Sequence, residues 1–338
     1  MSQIERRQTF VRDSVLEQRI KELCAKFEEQ VRKVFVGGDE LVEAVLVALF
    51  AQTSILLLST PGKGKSTLAR TIGRALALTS SWYQFRADTQ PSELLGFLDY
   101  QRRDSEGKPF VTLGPIFAEI FIADELNRAP SKVKSPLLAS MQEKTATIVG
   151  EYEPRKLSEP RLTIATRNPI EGSRSVFQLG AAEIDRFGLE LEVPIQSIEN
   201  REKIIARDAE SNLEQVEPVI GREELLAIIH YVRRMASVLM VEGRKNPIIN
   251  YIARLSYHMQ FVSDPKGSHE GASERAQVDL WRIMNAYRVV KGIETITPTH
   301  VQKMVKKAWG HRIVAPDDKT ARSILEESLK HVPLIPEE

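Results

Sequence analysis

The stretch Ile55 to Leu78, ILLLSTPGKGKSTLARTIGRALAL, decides the fold. Its first four residues, Ile55 to Leu58, predict a buried strand, the next segment carries Pro61, Gly62 and Gly64, and Leu68, Ile72, Ala75 and Leu76 then recur at helical spacing. Strand, loop and helix follow in that order. Within them, Ser59 to Ser66 fits the phosphate-loop pattern GxxxxGK[ST] at every fixed position except the first, where Ser59 stands in place of Gly. The chemistry accounts for the spacing. Gly62 and Gly64 let backbone amides curl around phosphate oxygens, with Pro61, Lys63 and Thr67 as the other candidate nucleotide contacts of the loop. The helix that follows aims its positive dipole end at the same anion. Lys65 is the candidate for the β and γ phosphates of ATP, and the Ser66 hydroxyl for a Mg²⁺ ion that keeps most of its waters.

The rest of the chain narrows the setting. Its 338 residues suffice for two domains, and 42% hydrophobic with 28% charged residues is an ordinary globular composition. The 47 basic and 46 acidic side chains leave a net charge of +1, so no global field draws the protein to nucleic acid or anionic lipid. A single cysteine, Cys24, excludes an intramolecular disulfide, and no Cys or His spacing suggests zinc. The longest apolar run, Ala44 to Ala51, is too short to span a bilayer, and no signal core follows the charged residues Glu5, Arg6 and Arg7. The expectation is a cytoplasmic protein without a membrane segment.

Outward from the phosphate loop, Leu16, Ile20, Leu23, Phe27, Val31 and Val34 mark one apolar stripe on a helix starting near Asp13, able to pack on its own subunit or on a neighbour. Val36, Gly37 and Gly38 break that helix before a second one over 40–51, and Val36 and Gly37 are candidates for the adenine ring. On the other side, WYQFR (82–86) predicts a strand and 96–115 a projecting hairpin. EIFIADE (119–125) predicts a short strand ending in two carboxylates. Beside a phosphate loop, Asp124 is the candidate to hold Mg²⁺ through water and Glu125 to polarise the attacking water. A helix over 131–143 and a hairpin over 145–157 precede the strand LTIATRN (162–168), whose terminal Asn168 is placed to orient that water. Strand signals end after 188–193. Helices are predicted over about 197–209, 222–240, 247–262, 273–291, 298–309 and 317–330, the fifth announced by Thr297 and Pro298. The expected organisation is an N-terminal helix (1–35), an α/β nucleotide-binding domain (36–194, with an insert at about 96–113) and a helical lid domain (195–338).

IADELNRAPSKVKSPLLASMQE (122–143) closely resembles the MoxR family of AAA+ ATPases. The resemblance continues in QFRADTQPSELLG (84–96), GPIFAEIF (114–121), ATRNPIEG (165–172), IDRF (184–187) and GASERA (271–276), and spans about residues 35–311. It implies a P-loop NTPase fold of the AAA+ class, with a three-layer α/β domain and a C-terminal all-helical lid. The family's roles fall on Lys65 and Ser66 for phosphate and metal, on Asp124 and Glu125 for metal and water, and on Asn168 for sensing the γ-phosphate. Arg186 takes the place of the arginine finger and Arg275 that of the second sensor, with Arg128 either facing a neighbouring nucleotide or held in a salt bridge. Glu274 stands where the family usually has Pro, and Gly180 and Ala181 where it commonly has Pro and Glu. The resemblance further implies a ring homo-oligomer, a hexamer, that hydrolyses ATP between subunits in a chaperone-like remodelling role, with a partner carrying a von Willebrand factor A domain. Two alternatives stand beside it. One is an ATP-binding assembly switch with little hydrolysis. The other is a nucleic-acid motor, for which Lys303, Lys306 and Lys307 form the one short basic patch.

Overall fold

The computed structural model describes residues 12–58, 65–103, 107, 109–167, 179–193, 197–206, 213–237, 240–241, 244–261, 272–313 and 318–332. Helix α1 (Ser14–Val34) begins where the Asp13 carboxylate accepts the Leu16 amide at 2.9 Å, and its buried face carries Ile20, Leu23, Cys24, Phe27, Val31 and Val34. The stripe legible in the sequence is therefore the face that packs, and it packs on its own subunit. Its partners are α2 (Asp39–Ala51), α3 (Lys65–Ala75) and α10 (Glu274–Lys291). A polar clamp fixes the register. Glu17 of α1 accepts the Tyr231 hydroxyl at 2.7 Å and pairs with Arg12 and Arg288. Burial alone would raise the Glu17 carboxyl, but hydrogen bonds from Arg12 and Tyr231 and the charge of Arg288 outweigh it and hold the group below the usual carboxylate range.

Helix α2 is apolar on all sides, with Leu41, Val42 and every residue from Ala44 to Ala51 buried, the pattern of a helix enclosed by protein. It lies among α1, α10 and α8 (Arg222–Ala236), so the helical and α/β parts share one hydrophobic core. Gly37 and Gly38, both at positive φ (74° and 82°), make the tight link from α1 into α2.

Five parallel strands form the central sheet in the order β2 (Ser80–Gln84), β5 (Ile120–Asp124), β8 (Leu162–Arg167), β1 (Ile55–Leu58), β9 (Leu189–Glu192). Alternation along the strands builds three layers. Ile120, Ile122, Ile55, Leu57, Leu162 and Ile164 face the core with α1 to α3, whereas Phe121, Ala123, Leu56 and Ala165 face the core under α5 (Ser131–Glu143). The edge strand β2 starts two residues before the expected stretch, at Ser80. Its outer edge has no neighbour among the described residues and its side chains are half-buried or exposed, so hydrophobicity does not mark its start.

The short helix α4 (Pro91–Leu95) leads into the insert, an antiparallel hairpin of β3 (Gly96–Arg103) and β4 (Pro109–Leu113). Val149, from the loop between β6 (Thr145–Ala146) and β7 (Arg155–Lys156), bridges to Phe97 of the insert. The Leu98 amide donates to the Val149 carbonyl and the Val149 amide to the Gly96 carbonyl, each at 3.2 Å. The two hairpins thus stand together, with Tyr100, Leu113 and Tyr152 exposed on them.

After the short α6 (Ala181–Ile184) and β9, helices predominate among the described residues. They are α7 (Ile198–Ile205), α8, α9 (Pro247–Phe261), α10, α11 (Pro298–Trp309) and α12 (Asp318–His331). The expectation of no strand beyond residue 197 is corrected by one small antiparallel pair, β10 (Met240–Val241) with β11 (Arg244–Lys245). Two residues per strand are too few to leave an alternation signal. Helix α8 accordingly stops at Ala236 rather than near 240, where the Ser237 hydroxyl takes the Arg234 carbonyl at 2.7 Å and competes with the helix for it. Among the described residues no helix is long and apolar enough to cross a membrane.

Candidate functional site

Because the sheet is parallel, Leu58, Asp124, Arg167 and Glu192 all end their strands at one edge, and ligands of open α/β sheets bind beyond that edge where the strand order reverses. The reversal falls at β1, which lies between β8 and β9 although the chain visits the far edge first. Leu58 is in register with Arg167, and α3 opens at Lys65, so strand and helix flank the phosphate-loop sequence as expected. Ser59, Pro61, Gly62, Lys63, Gly64, the side chains of Lys65 and Ser66, and Asn168 lie outside the described residues. Thr67 is half-buried in the first turn of α3, with its carbonyl accepting the Thr71 hydroxyl at 2.7 Å. Val36 and Gly37 lie at the α1–α2 link, near which Lys307 of α11 reaches Glu40 at 3.4 Å.

The two carboxylates occupy neighbouring, buried positions. Asp124 closes β5, and Glu125 follows in the left-handed region at φ 56°, ψ 43°, a conformation that costs a non-glycine residue about 1–2 kcal/mol. One side chain secures both. The fully buried Thr166 of β8 accepts the Glu125 amide at 2.9 Å and donates its hydroxyl to Asp124 Oδ1 at 2.5 Å. Sequence reading missed Thr166. A signal was available: it lies two residues before Asn168, and strand alternation puts positions two apart on one face. Arg128 places Nη1 3.2 Å from Glu125 Oε2, so the structure pairs this arginine with a carboxylate of its own subunit.

The donor set suits a hard divalent cation. Asp124 offers a buried carboxylate at the strand end, and Ser66 is carried by the first turn of α3, the oxygen chemistry Mg²⁺ prefers. Among the described residues no cluster of three or more His, Cys, Asp or Glu groups forms an alternative metal site.

Arg186 sits in the turn after α6, half-buried, and its guanidinium makes no ion pair or hydrogen bond among the described residues. Glu183 anchors α6 by accepting the Gly180 amide at 2.9 Å and the ammonium of the buried Lys134 at 3.0 Å. Arg275, in the first turn of α10, is brought to the same turn, with Nη1 3.5 Å from Asp185 Oδ2. Beside them, His311 Nε2 lies 2.8 Å from the Phe187 carbonyl, and a carbonyl only accepts, so this nitrogen carries the proton. Desolvation and the adjacent Arg312 charge push the partly buried imidazole down to about 3.

A cavity of about 310 Å³ opens between β9 and the helices α11 and α12, lined by Glu190, Glu192, Lys306, Lys307, His311 and Arg322 among others. Its charges are matched. Arg322 pairs with Glu192 at 2.9 Å, Lys306 with Glu326 at 3.6 Å, and Glu190 with Arg167 at 2.7 Å. Lys303, the third lysine of the basic patch, lies 6.0 Å from the ring centre of Tyr287.

Comparison with known proteins agrees with this architecture. Residues 54–189 match the family model described as the ATPase family associated with various cellular activities (AAA). Chaperone MoxR1 of Mycobacterium tuberculosis is 30% identical over 306 residues, covering 88% of this chain and 77% of that protein. Protein MoxR of Methylorubrum extorquens is 25% identical over 315 residues, covering 87% and 88%. A crystal structure from Cytophaga hutchinsonii, described provisionally as an ATPase, superposes with a TM-score of 0.82 at 27% identity, covering 95% of this chain and 97% of that one.

Proposed function

The chain belongs to the MoxR family of AAA+ ATPases, and from that premise we propose that it assembles into a ring, a hexamer by family resemblance, and hydrolyses Mg²⁺-ATP between subunits in a chaperone-like role. In this reading residues 36–194 bind the nucleotide and 195–338 form the lid. The observation that supports it most strongly is the Asp124–Glu125 pair. The two are buried at the carboxyl edge of the sheet, secured by Thr166 and adjacent to the strand–loop–helix unit.

Each residue has a task that its chemistry suits. The loop amides from Pro61 to Thr67 and the Lys65 ammonium bind the phosphates, while Ser66 and, through water, Asp124 hold Mg²⁺, which when bound neutralises charge on the phosphate oxygens. Glu125 draws the proton from the attacking water, and Asn168 orients that water. Arg186 supplies positive charge to the nucleotide of the neighbouring subunit, a task open to a guanidinium that has no partner among the described residues, and Arg275 supplies charge from the lid. The paired hairpins, with Tyr100 and Tyr152 exposed, are the proposed contact for a client or for a von Willebrand factor A domain partner, because loops held on a rigid scaffold carry recognition. The proposed location is the cytoplasm.

Mixing two impaired variants tests the shared site. Glu125→Gln and Arg186→Ala, each with only residual turnover alone, should recover activity together, because some interfaces then combine an intact carboxylate with an intact arginine. Absence of recovery in mixtures shown by mass to co-assemble would refute action across the interface.

The Arg128–Glu125 ion pair favours a second reading, an assembly switch that binds ATP and turns it over slowly, since a carboxylate held 3.2 Å from a guanidinium is less free to turn towards an attacking water. Under that reading Arg128→Ala raises turnover several-fold; a fall to the level of Glu125→Gln would reject it. A nucleic-acid motor receives no such support. Lys306 and Lys307 are ion-paired within the chain and Lys303 leans towards Tyr287.

A further inference from the structure

Arg186 is flanked by two residues that the helical part holds. On one side, Asp185 accepts the Ser273 hydroxyl at 2.8 Å and lies 3.5 Å from Arg275 Nη1. Ser273 is the N-cap of α10, and its oxygen also accepts the Ala276 amide at 3.1 Å, so Asp185 is tied to the start of that helix. On the other side, the Phe187 carbonyl accepts from Arg312 Nε at 2.9 Å, Arg312 Nη2 at 2.7 Å and His311 Nε2 at 2.8 Å. Arg312 is itself anchored to Asp279 of α10 at 2.8 Å, with a fully buried side chain. Every one of these donors comes from α10, from its cap, or from the turn after α11. Strand β9 begins only at Leu189, so the grip falls on the turn and not on the sheet.

We propose that Asp185 is a positioning residue for the reaction: by holding Ser273 and Arg275 it makes the turn carrying Arg186 travel with α10, coupling the lid of one subunit to the arginine offered to the next. The inference rests on the reading of Arg186 and Arg275 given above. Asp185 is suited to the task because it joins the two arginines directly. One is its neighbour in the chain and the other its partner in space. A guanidinium paired with Asp185 is also not free for a phosphate, so any shift of Arg275 towards nucleotide loosens the turn that presents Arg186. Arg312 acts as the fixed side of the hinge, because a buried guanidinium anchored to both Asp279 and the Phe187 carbonyl is costly to displace.

The test uses the full-length protein as Asp185→Asn, Arg186→Ala and the double variant. Asparagine keeps the size of the side chain and its acceptor for Ser273 while removing the charge that Arg275 meets at 3.5 Å and Arg312 at 4.0 Å. The expected result is a fall in kcat of about fivefold, the size of a half-exposed ion pair together with a weakened hydrogen bond. Affinity for a fluorescent ATP analogue should stay equal or become tighter, and hydrogen exchange should quicken in residues 181–188 but not in β9. In the Arg186→Ala background, Asp185→Asn should cost nothing further. A large Arg186→Ala effect with an additive loss in the double variant overturns the positioning role alone. Arg186→Ala with full turnover overturns the reading of Arg186 and this inference with it. A lowered analogue affinity accompanied by a lowered melting temperature in Asp185→Asn assigns Asp185 to fold maintenance instead.

Discussion

Replacing Thr166 by valine probes the site at a side chain that meets both the Asp124 carboxylate and the Glu125 backbone amide. The hydroxyl donates to the Asp124 carboxylate at 2.5 Å and accepts the Glu125 amide at 2.9 Å, in a fully buried position. A hydrogen bond to a charged group contributes about 1.5–3 kcal/mol and a neutral one about 1 kcal/mol, so Thr166→Val should destabilise by about 2.5–4 kcal/mol. Thr166→Ser is the matched control, because it keeps both bonds and loses one buried methyl, a cost of about 1 kcal/mol. The valine variant should also lose turnover by more than about tenfold, since the left-handed backbone of Glu125 is no longer held from β8. Urea unfolding followed by circular dichroism gives the stability difference, and phosphate release gives the rate. If valine and serine variants unfold at the same midpoint and turn over alike, the hydroxyl bridge does not organise the site.

Acid stability should depend on His311, whose folded value of about 3 lies below its ordinary 6.5. The folded protein then binds fewer protons than the unfolded chain, so this contribution is complete above about pH 6.5 and is lost progressively as pH falls towards 3. His311→Gln should shrink the difference in urea midpoint between pH 7 and pH 4.5, and an unchanged difference would count against the argument. At the base of the insert, Gly96 has φ 87°, and a Cβ there would fall on the Thr112 carbonyl oxygen. Gly96→Ala should cost more than about 2 kcal/mol and speed hydrogen exchange across 96–113 while the central sheet stays protected; equal protection in variant and parent would contradict this.

Much of the architecture was legible from local pattern. The α1 stripe, the phosphate-loop helix, the hairpin at 96–113, the helix Ser131–Glu143 and the cap of α11 by Thr297 all depend on contacts within a few residues, where periodicity and capping chemistry act. The carboxylates at Asp124 and Glu125 could be placed at a strand end for the same reason. The two-residue strands β10 and β11 were not legible, because a pair so short has no period to read.

What the sequence by itself determined, then, is the longer elements, the family they resemble and the candidate residues at their ends. The tertiary structure alone decided which of those ends meet. Thr166 reaches Asp124 across 42 positions of chain, and Ser273 reaches Asp185 across 88. The sheet order, with β1 between β8 and β9, and the docking of α1 on its own subunit belong to the same class. The physical reason is that a residue's intrinsic preference is spent within a turn or two of backbone, whereas a buried hydroxyl, carboxylate or guanidinium must find its partner wherever the folded chain supplies one.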